Sequence, residues 1–146
     1  MFFAYMFLES LIYGSLLGLA VGSLTGVLLT PQDIYFNQSK INSLVLNLGA
    51  GIYEEFVFRF LLITGIFWIL KKAVKNKFVI YSGAFLLSSL LFSFFHYLEP
   101  FNEPFQVNSF LFRFIAGSVF SIIFIFRGYG IAAYSHSLYN ILLMFR

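Results

Sequence analysis

The chain is a series of long apolar stretches separated by short polar connections. Five stretches are each close to the roughly 20 residues that a helix needs to cross a bilayer core about 30 Å thick. They extend from Phe2 to Leu29, Leu44 to Leu70, Phe78 to Leu98, Phe110 to Phe126 and Tyr129 to Phe145. No connection is long enough to fold as a domain, so any site must be assembled between helices. The pattern predicts an all-α fold, a single polytopic bundle over residues 1–146 with about five transmembrane helices.

The composition favours a membrane protein. Hydrophobic residues make up 60% of the 146 residues, charged residues make up 10%, and 22 residues are Phe. A soluble domain of this size needs far more charge to cover its surface. The absence of cysteine excludes disulfides, thiolate metal sites and a cysteine nucleophile. We therefore expect an integral membrane protein, in contact with the lipid bilayer. As a separate expectation, we place it in the cytoplasmic membrane of a prokaryote.

Four lysines share one short connection. They are Lys71, Lys72, Lys75 and Lys77. Connections rich in Lys and Arg tend to face the cytoplasm, which predicts that Arg127 and the N-terminus lie inside and the C-terminus outside. We interpret the lysines as a solvated topology signal, so no nucleic-acid partner is expected.

Small residues recur at every fourth position of the first apolar stretch. The series is Ser10, Gly14, Gly18, Gly22 and Gly26. These residues share one helix face, where another backbone can approach closely, either within the chain or in a homo-oligomer. Glu9 is expected to reach the membrane interface, with a pair to Arg113 as the alternative.

Ionisable side chains interrupt the second apolar stretch. A charge at membrane depth costs several kcal/mol, so its presence indicates pairing or function. Glu55 and Arg59 are four residues apart and share a helix face, where they can pair, while Glu54 points about 100° away. A pair that locks two helices together would explain Glu55 and Arg59. It does not explain Glu54.

The only two histidines of the chain lie in similar apolar surroundings. His96 follows Phe92 by one helical turn, and His136 precedes Asn140 by one turn. Either histidine alone is more typical of a packing residue than of a catalyst. If the helices converge, Glu54 and His96 can share one water. His136 and Asn140 can then donate to the oxygen that becomes negative during attack. At about 1.5 Å per residue, His96 falls closer to the outer end of its helix than Glu54 does.

Three ordered motifs resemble those of a known family. They are Glu-Glu-x-x-x-Arg at Glu54 to Arg59, Phe-x-x-x-His at Phe92 to His96, and His-x-x-x-Asn at His136 to Asn140. This set resembles the prenyl-protein (CAAX) endopeptidases and bacteriocin-processing proteins, also called the Abi family, over roughly Gly51 to Ile141. The family-like catalytic core would cover about residues 44–146.

The resemblance implies a glutamate-type intramembrane endopeptidase that acts on a membrane-embedded or membrane-adjacent peptide. Glu54 and His96 would then activate water, and His136 and Asn140 would hold the oxyanion. The resemblance gives supporting roles to Glu55, Arg59 and Phe92.

Two other functions are open at this point. A non-enzymatic membrane scaffold or bacteriocin-immunity protein would use the same side chains for interhelical hydrogen bonds. A proton-coupled transporter would use Glu54 and His96 as a relay, although the chain has no detectable inverted repeat. Zinc hydrolysis is disfavoured because no His-Glu-x-x-His motif occurs, and the sole aspartate, Asp33, excludes an aspartyl dyad. We expect neither a metal nor a cofactor.

Overall fold

The computed structural model describes residues 2–25, 40–98 and 104–144, which are almost entirely helical and contain no strand. The elements of these ranges are α1 (Phe2–Thr25), α2 (Lys40–Glu55), a π-helical segment (Phe56–Ile63), α3 (Thr64–Ala73), α4 (Lys77–Phe95), α5 (Val107–Arg127) and α6 (Tyr129–Met144). The predicted all-α helical bundle is confirmed.

Three helical stretches are long and apolar enough to cross a membrane. They are Phe2–Ala20, Lys77–Phe95 and Val107–Arg127. The second predicted span corresponds to α2, the π-segment and α3, which follow one another without a break from Lys40 to Ala73. The fifth predicted span corresponds to α6. These last two helical stretches carry most of the polar residues that the sequence singled out.

The α6 helix packs against α1, α2, α5 and the π-segment, and α4 packs along α5. A cluster of buried side chains joins α1, α5 and α6. Its members are Leu17, Phe112, Ala116, Phe120, Ile123, Ile131, Ala132 and Tyr139. Between α5 and α6 stands Gly128 alone, with φ of 84°, a conformation that side chains with a Cβ rarely adopt. This one-residue turn sends α6 back along α5.

The small-residue face of α1 packs against α6 of the same chain. A Cβ built on Gly14 would lie 3.0 Å from the backbone oxygen of Ser135, and one on Gly18 would lie 3.5 Å from the Tyr139 ring. Gly26 lies outside the described residues, and the contacts of Gly22 are likewise not described. At Gly14 and Gly18, therefore, the predicted close approach is used within the chain and leaves no room there for a second copy.

Glu9 pairs with Arg127 through two hydrogen bonds. Arg127 Nε donates to Oε1 at 2.5 Å and Arg127 Nη2 donates to Oε2 at 2.7 Å. The alternative partner suggested by the sequence, Arg113, is wrong. Arg127 is the last residue of α5 and meets the beginning of α1, whereas Arg113 lies in the first third of α5, toward the opposite end.

The lysines surround the turn between α3 and α4, and all four are exposed. Lys72 Nζ also lies 3.3 Å from the centre of the Trp68 ring, a cation–π contact. This end of the bundle is called the lysine end below. That it faces the cytoplasm stays a prediction.

Candidate active site

The second predicted span changes its helical form at the two glutamates. α2 ends at Glu55, and the π-segment, with its wider i→i+5 hydrogen bonding, begins at Phe56. Before this point the helix faces α6, where Ser137 Oγ donates to the backbone oxygen of Leu48 at 3.0 Å. After it the helix faces α4, where Ser88 Oγ donates to the backbone oxygen of Phe58 at 2.6 Å. Glu54 and Glu55 lie where the helix passes from one neighbour to the other. Both meet His136 of α6, and Glu54 also lies near His96 at the end of α4.

Glu55 joins Arg59 to His136. Arg59 Nη1 lies 3.0 Å from Glu55 Oε1, the i,i+4 pair that the sequence predicted, and both side chains are fully buried. His136 Nδ1 lies 2.8 Å from the same oxygen. Because the carboxylate accepts, Nδ1 carries the proton of this bond, and Nε2 is left to face the other side. Within the described part of the structure, Glu55 Oε2 has no hydrogen-bond partner.

Two aromatic rings and a backbone carbonyl hold the Arg59 guanidinium. Its carbon lies 4.3 Å from the centre of the Phe92 ring and 5.7 Å from that of Phe120, both cation–π contacts. Arg59 Nη2 donates to the backbone oxygen of Gly117 at 3.2 Å. A Cβ on Gly117 would lie 2.9 Å from Phe92 Cδ1 and 3.3 Å from Arg59 Nη2, so the arginine fits because this residue has no side chain.

Glu54 lies between the two histidines. Its Oε1 is 4.0 Å from His96 Nε2, and its Oε2 is 3.6 Å from His136 Nε2. Distances of this length suit a water that binds both partners better than they suit direct hydrogen bonds. The side chains of Glu54 and His96 are 17% and 16% exposed, in contrast to the fully buried Glu55 and Arg59. Glu54 is therefore the carboxylate of this cluster that solvent can reach.

Aromatic contacts orient both imidazoles. The Phe120 ring stacks on His136, with 4.3 Å between centres and 18° between planes. The Phe92 ring meets both imidazoles edge to face, at 5.2 Å from His96 and 6.0 Å from His136. His96 comes directly after the last residue of α4, and its Nδ1 lies 3.0 Å from the backbone oxygen of Phe92. His96 is thus at a helix end, as the depth estimate predicted, and still reaches Glu54.

Asn140 lies one turn beyond His136 on α6, but its observed contact points away from the carboxylates. Asn140 Nδ2 donates to the backbone oxygen of Asn47 on α2 at 3.3 Å. The structure therefore brings together six of the seven residues that the sequence selected. They are Glu54, Glu55, Arg59, Phe92, His96 and His136. Asn140 sits at the edge of this group.

Three further residues shape the site and were not assigned a role from the sequence: Gly51, Gly117 and Phe120. A Cβ on Gly51 would lie 2.6 Å from Ser137 Oγ and 2.7 Å from Ser137 N, so α2 and α6 cross here with their backbones nearly in contact. The glycine immediately precedes the Ile-Tyr-Glu-Glu sequence, which is the one signal for it in the chain. Nothing local in the sequence marks Gly117 or Phe120.

An apolar groove of about 460 Å³ runs beside the site, between the π-segment and α4. It is lined by Val57, Phe58, Leu61, Leu62, Leu91, Phe94, Phe95 and Leu98. The Phe58 ring contacts Phe92 and Phe95, at 5.4 and 5.5 Å between centres, so one layer of aromatic side chains separates the groove from the ion pair. Among the described residues, no group of three or more His, Asp or Glu side chains is placed so that it could hold a metal ion.

A family model described as type II CAAX prenyl endopeptidase Rce1-like matches residues 36–142. The chain belongs to this family. The match covers well over half of the chain and contains every residue of the cluster. Membership in the Rce1-like family makes the chain a membrane protease of the CAAX type, and its long apolar helices are those of an integral membrane protein. No curated protein and no solved structure matches the chain.

Proposed function

We propose that this Rce1-like chain is a glutamate-type intramembrane endopeptidase that hydrolyses a peptide bond with a water activated by Glu54 and His96. One observation carries the proposal, namely the position of Glu54 within 4.0 Å of His96 Nε2 and 3.6 Å of His136 Nε2. A carboxylate that only packed helices together would be paired and buried, as Glu55 is. Glu54 is instead partly exposed and faces two imidazoles at distances beyond a direct hydrogen bond, at which one water can bind both groups from the side.

In the proposed reaction, a water bound by Glu54 and His96 loses a proton to this pair as its oxygen attacks the peptide carbonyl carbon. The carbonyl oxygen becomes an oxyanion in the tetrahedral intermediate. When the C–N bond breaks, the proton passes to the leaving amine nitrogen, and the carbonyl carbon is released as a carboxyl group. Atoms and protons balance without a metal or another cofactor.

The oxyanion is assigned to His136 and Asn140. Because His136 Nδ1 donates to Glu55, His136 can donate from Nε2 only when both ring nitrogens carry protons. Asn140 Nδ2 carries two hydrogens, of which one is used for Asn47 in this structure. The second is the proposed oxyanion donor.

Arg59 and Phe92 have supporting roles in this proposal. Arg59 neutralises Glu55, which in turn accepts the Nδ1 proton of His136 and fixes the orientation of its ring. Phe92 packs against the Arg59 guanidinium and against both histidines, so it keeps His96 and His136 at a fixed separation. A preorganised site of this kind does not have to reorganise as charge develops.

The proposed substrate is a membrane-embedded or membrane-adjacent peptide, cut in the cytoplasmic membrane of a prokaryote. The apolar groove beside the site supports a substrate with an apolar group close to the scissile bond. A homo-oligomer is part of the proposal only through surfaces other than Gly14 and Gly18, which α6 covers.

The test uses the purified chain in detergent with an internally quenched peptide that ends in a farnesylated CAAX sequence, and with the same peptide lacking the farnesyl group. The wild type should cleave and release one new C-terminus that mass spectrometry identifies. Glu54→Gln should be inactive and should unfold at nearly the wild-type temperature. Cleavage by Glu54→Gln at the wild-type rate would overturn the mechanism. If the wild type never cleaves and substitutions at the cluster only weaken folding, the scaffold alternative is favoured.

A further inference from the structure

Ser88 joins α4 to the backbone of the π-segment by a hydrogen bond. Its side chain is fully buried, and its Oγ donates to the backbone oxygen of Phe58 at 2.6 Å. Phe58 directly precedes Arg59, and the segment that contains both begins one residue after Glu55. The bond therefore holds the backbone between the two members of the buried ion pair.

A π-helical segment of this length needs a stabilising contact. Such segments are rare, mostly occur as single-turn bulges inside α-helices, and are frequent at functional sites. No Gly or Pro occurs between Phe56 and Ile63 that would interrupt an α-helix by itself. The Ser88 hydroxyl donates to a carbonyl inside the segment and so anchors the wider turn to α4.

The form of the segment decides where Arg59 lies. With the π-segment in place, the guanidinium reaches Glu55, the Gly117 carbonyl and the Phe92 ring together. A return to α-helical turns would rotate the backbone after Glu55 and move Arg59 out of this arrangement. The i,i+4 pair with Glu55 can form in either helical form, but away from the Gly117 carbonyl and the Phe92 ring the guanidinium no longer fixes its own position. The Glu55 carboxylate, which accepts the Nδ1 proton of His136, then loses its fixed direction.

We propose that Ser88 is a positioning residue for peptide hydrolysis, which holds the π-segment so that Arg59 and Glu55 orient His136 beside Glu54. This inference rests on the proposed function. In the proposed reaction, Ser88 touches neither the water nor the peptide bond that is cut. The residue acts through the backbone of Phe58, at a distance from the water and from the substrate.

The neighbouring serine gives a matched control. Ser89 is on the same helix and is fully buried, but its Oγ donates at 2.9 Å within α4, to the backbone oxygen of Phe85. Its other contact is a long one to α5, 3.5 Å to Ser121 Oγ, and neither contact is with the π-segment. Loss of the Ser89 hydroxyl therefore removes no hydrogen bond to the π-segment. Ser88→Ala should lower kcat about 10- to 100-fold with little change in KM, the penalty of a misplaced catalytic group. Ser89→Ala should keep kcat near the wild-type value.

A second pair of variants protects the test against a folding failure. Ser88→Cys and Ser89→Cys nearly conserve side-chain volume but replace the hydroxyl with a weak donor, and the chain has no other cysteine. The same difference in kcat between the two positions is expected. Equal losses of kcat at Ser88 and Ser89, or a loss that appears only in KM, would overturn the inference.

Hydrogen exchange read by mass spectrometry tests the inference without a substrate. Peptides that contain residues 56–63 should exchange faster in Ser88→Ala than in Ser89→Ala, because the segment then alternates between two helical forms. Equal exchange in the two variants would overturn the inference, whatever the protease assay shows. Wild-type protein that fails to cleave would count against the proposed function alone.

Discussion

Replacement of Gly51 by alanine should separate the two helices that carry most of the site. The added Cβ would lie 2.6 to 2.8 Å from three atoms of Ser137, two of them backbone atoms that cannot rotate away. Ordinary van der Waals contact begins at 3.4 Å, so α2 and α6 must move apart by about 0.6 to 0.7 Å at this crossing. Gly49→Ala is the matched control, because a Cβ there meets nothing within 4 Å.

The two variants together separate crowding from helix propensity. Either alanine should gain about 0.5 to 1 kcal/mol from its better fit to a helix. The difference in unfolding free energy between them cancels this gain and leaves the overpacking cost, about 1 to 3 kcal/mol at Gly51. Equilibrium unfolding in mixed detergent micelles measures both values.

The same separation of α2 and α6 should also change the contact between Glu55 and His136. Ser137 directly follows His136, whose Nδ1 lies 2.8 Å from Glu55 Oε1. An added separation of about 0.7 Å would lengthen this bond to about 3.5 Å, the limit for a hydrogen bond. We expect kcat for the quenched peptide to fall about 10- to 100-fold in Gly51→Ala and to stay at the wild-type value in Gly49→Ala. Equal stability of the two variants would refute the crowding argument, and a destabilised Gly51→Ala with full kcat would refute its link to the site.

Two further predictions concern charge. Glu55→Ala should lower the unfolding free energy by about 3 to 5 kcal/mol, because it leaves the buried Arg59 unpaired. The double variant Glu55→Ala with Arg59→Met should recover much of that stability in the same unfolding assay but should stay inactive. A double variant as unstable as Glu55→Ala alone would contradict the argument from the unpaired charge. Activity should fall below about pH 6, because a protonated His96 cannot accept a proton from water. A rate profile that stays flat from about pH 8 to about pH 5 would contradict that assignment.

The helices and most of the site residues were predictable from the sequence. Apolar stretches of membrane length define the helices, because the bilayer demands a continuous hydrogen-bonded backbone. Ionisable residues inside those stretches indicated a site, because a charge at membrane depth is energetically costly. The four-residue spacing of Glu55 and Arg59 correctly predicted that they pair. These inferences depend on local rules alone.

The contacts that align the helices were not predictable. The bond by which we propose that Ser88 holds the π-segment joins it to Phe58, thirty positions away in the sequence. Gly51 matters only because α6 crosses α2 at that position, and a chain offers no local sign of where two helices will cross. The motif assigned Asn140 to the oxyanion, and nothing in the sequence indicated that its side-chain amide also donates to the backbone oxygen of Asn47 on α2.

The alternative partner suggested for Glu9, Arg113, was wrong for the same reason. Two arginines on α5 were available in the sequence, and the direction in which α1 lies along α5 decided between them. The pair with Arg127 follows from that packing, which hydrophobic patterning leaves open.

The central claim is that Glu54 and His96 act on the same water, and a double-mutant comparison of kcat tests it most directly. Glu54→Gln and His96→Ala should each lower kcat at least about 100-fold, and the double variant should be no slower than the slower single variant, as for residues that act as a unit. Losses that multiply in the double variant, or wild-type kcat in Glu54→Gln, would contradict the account.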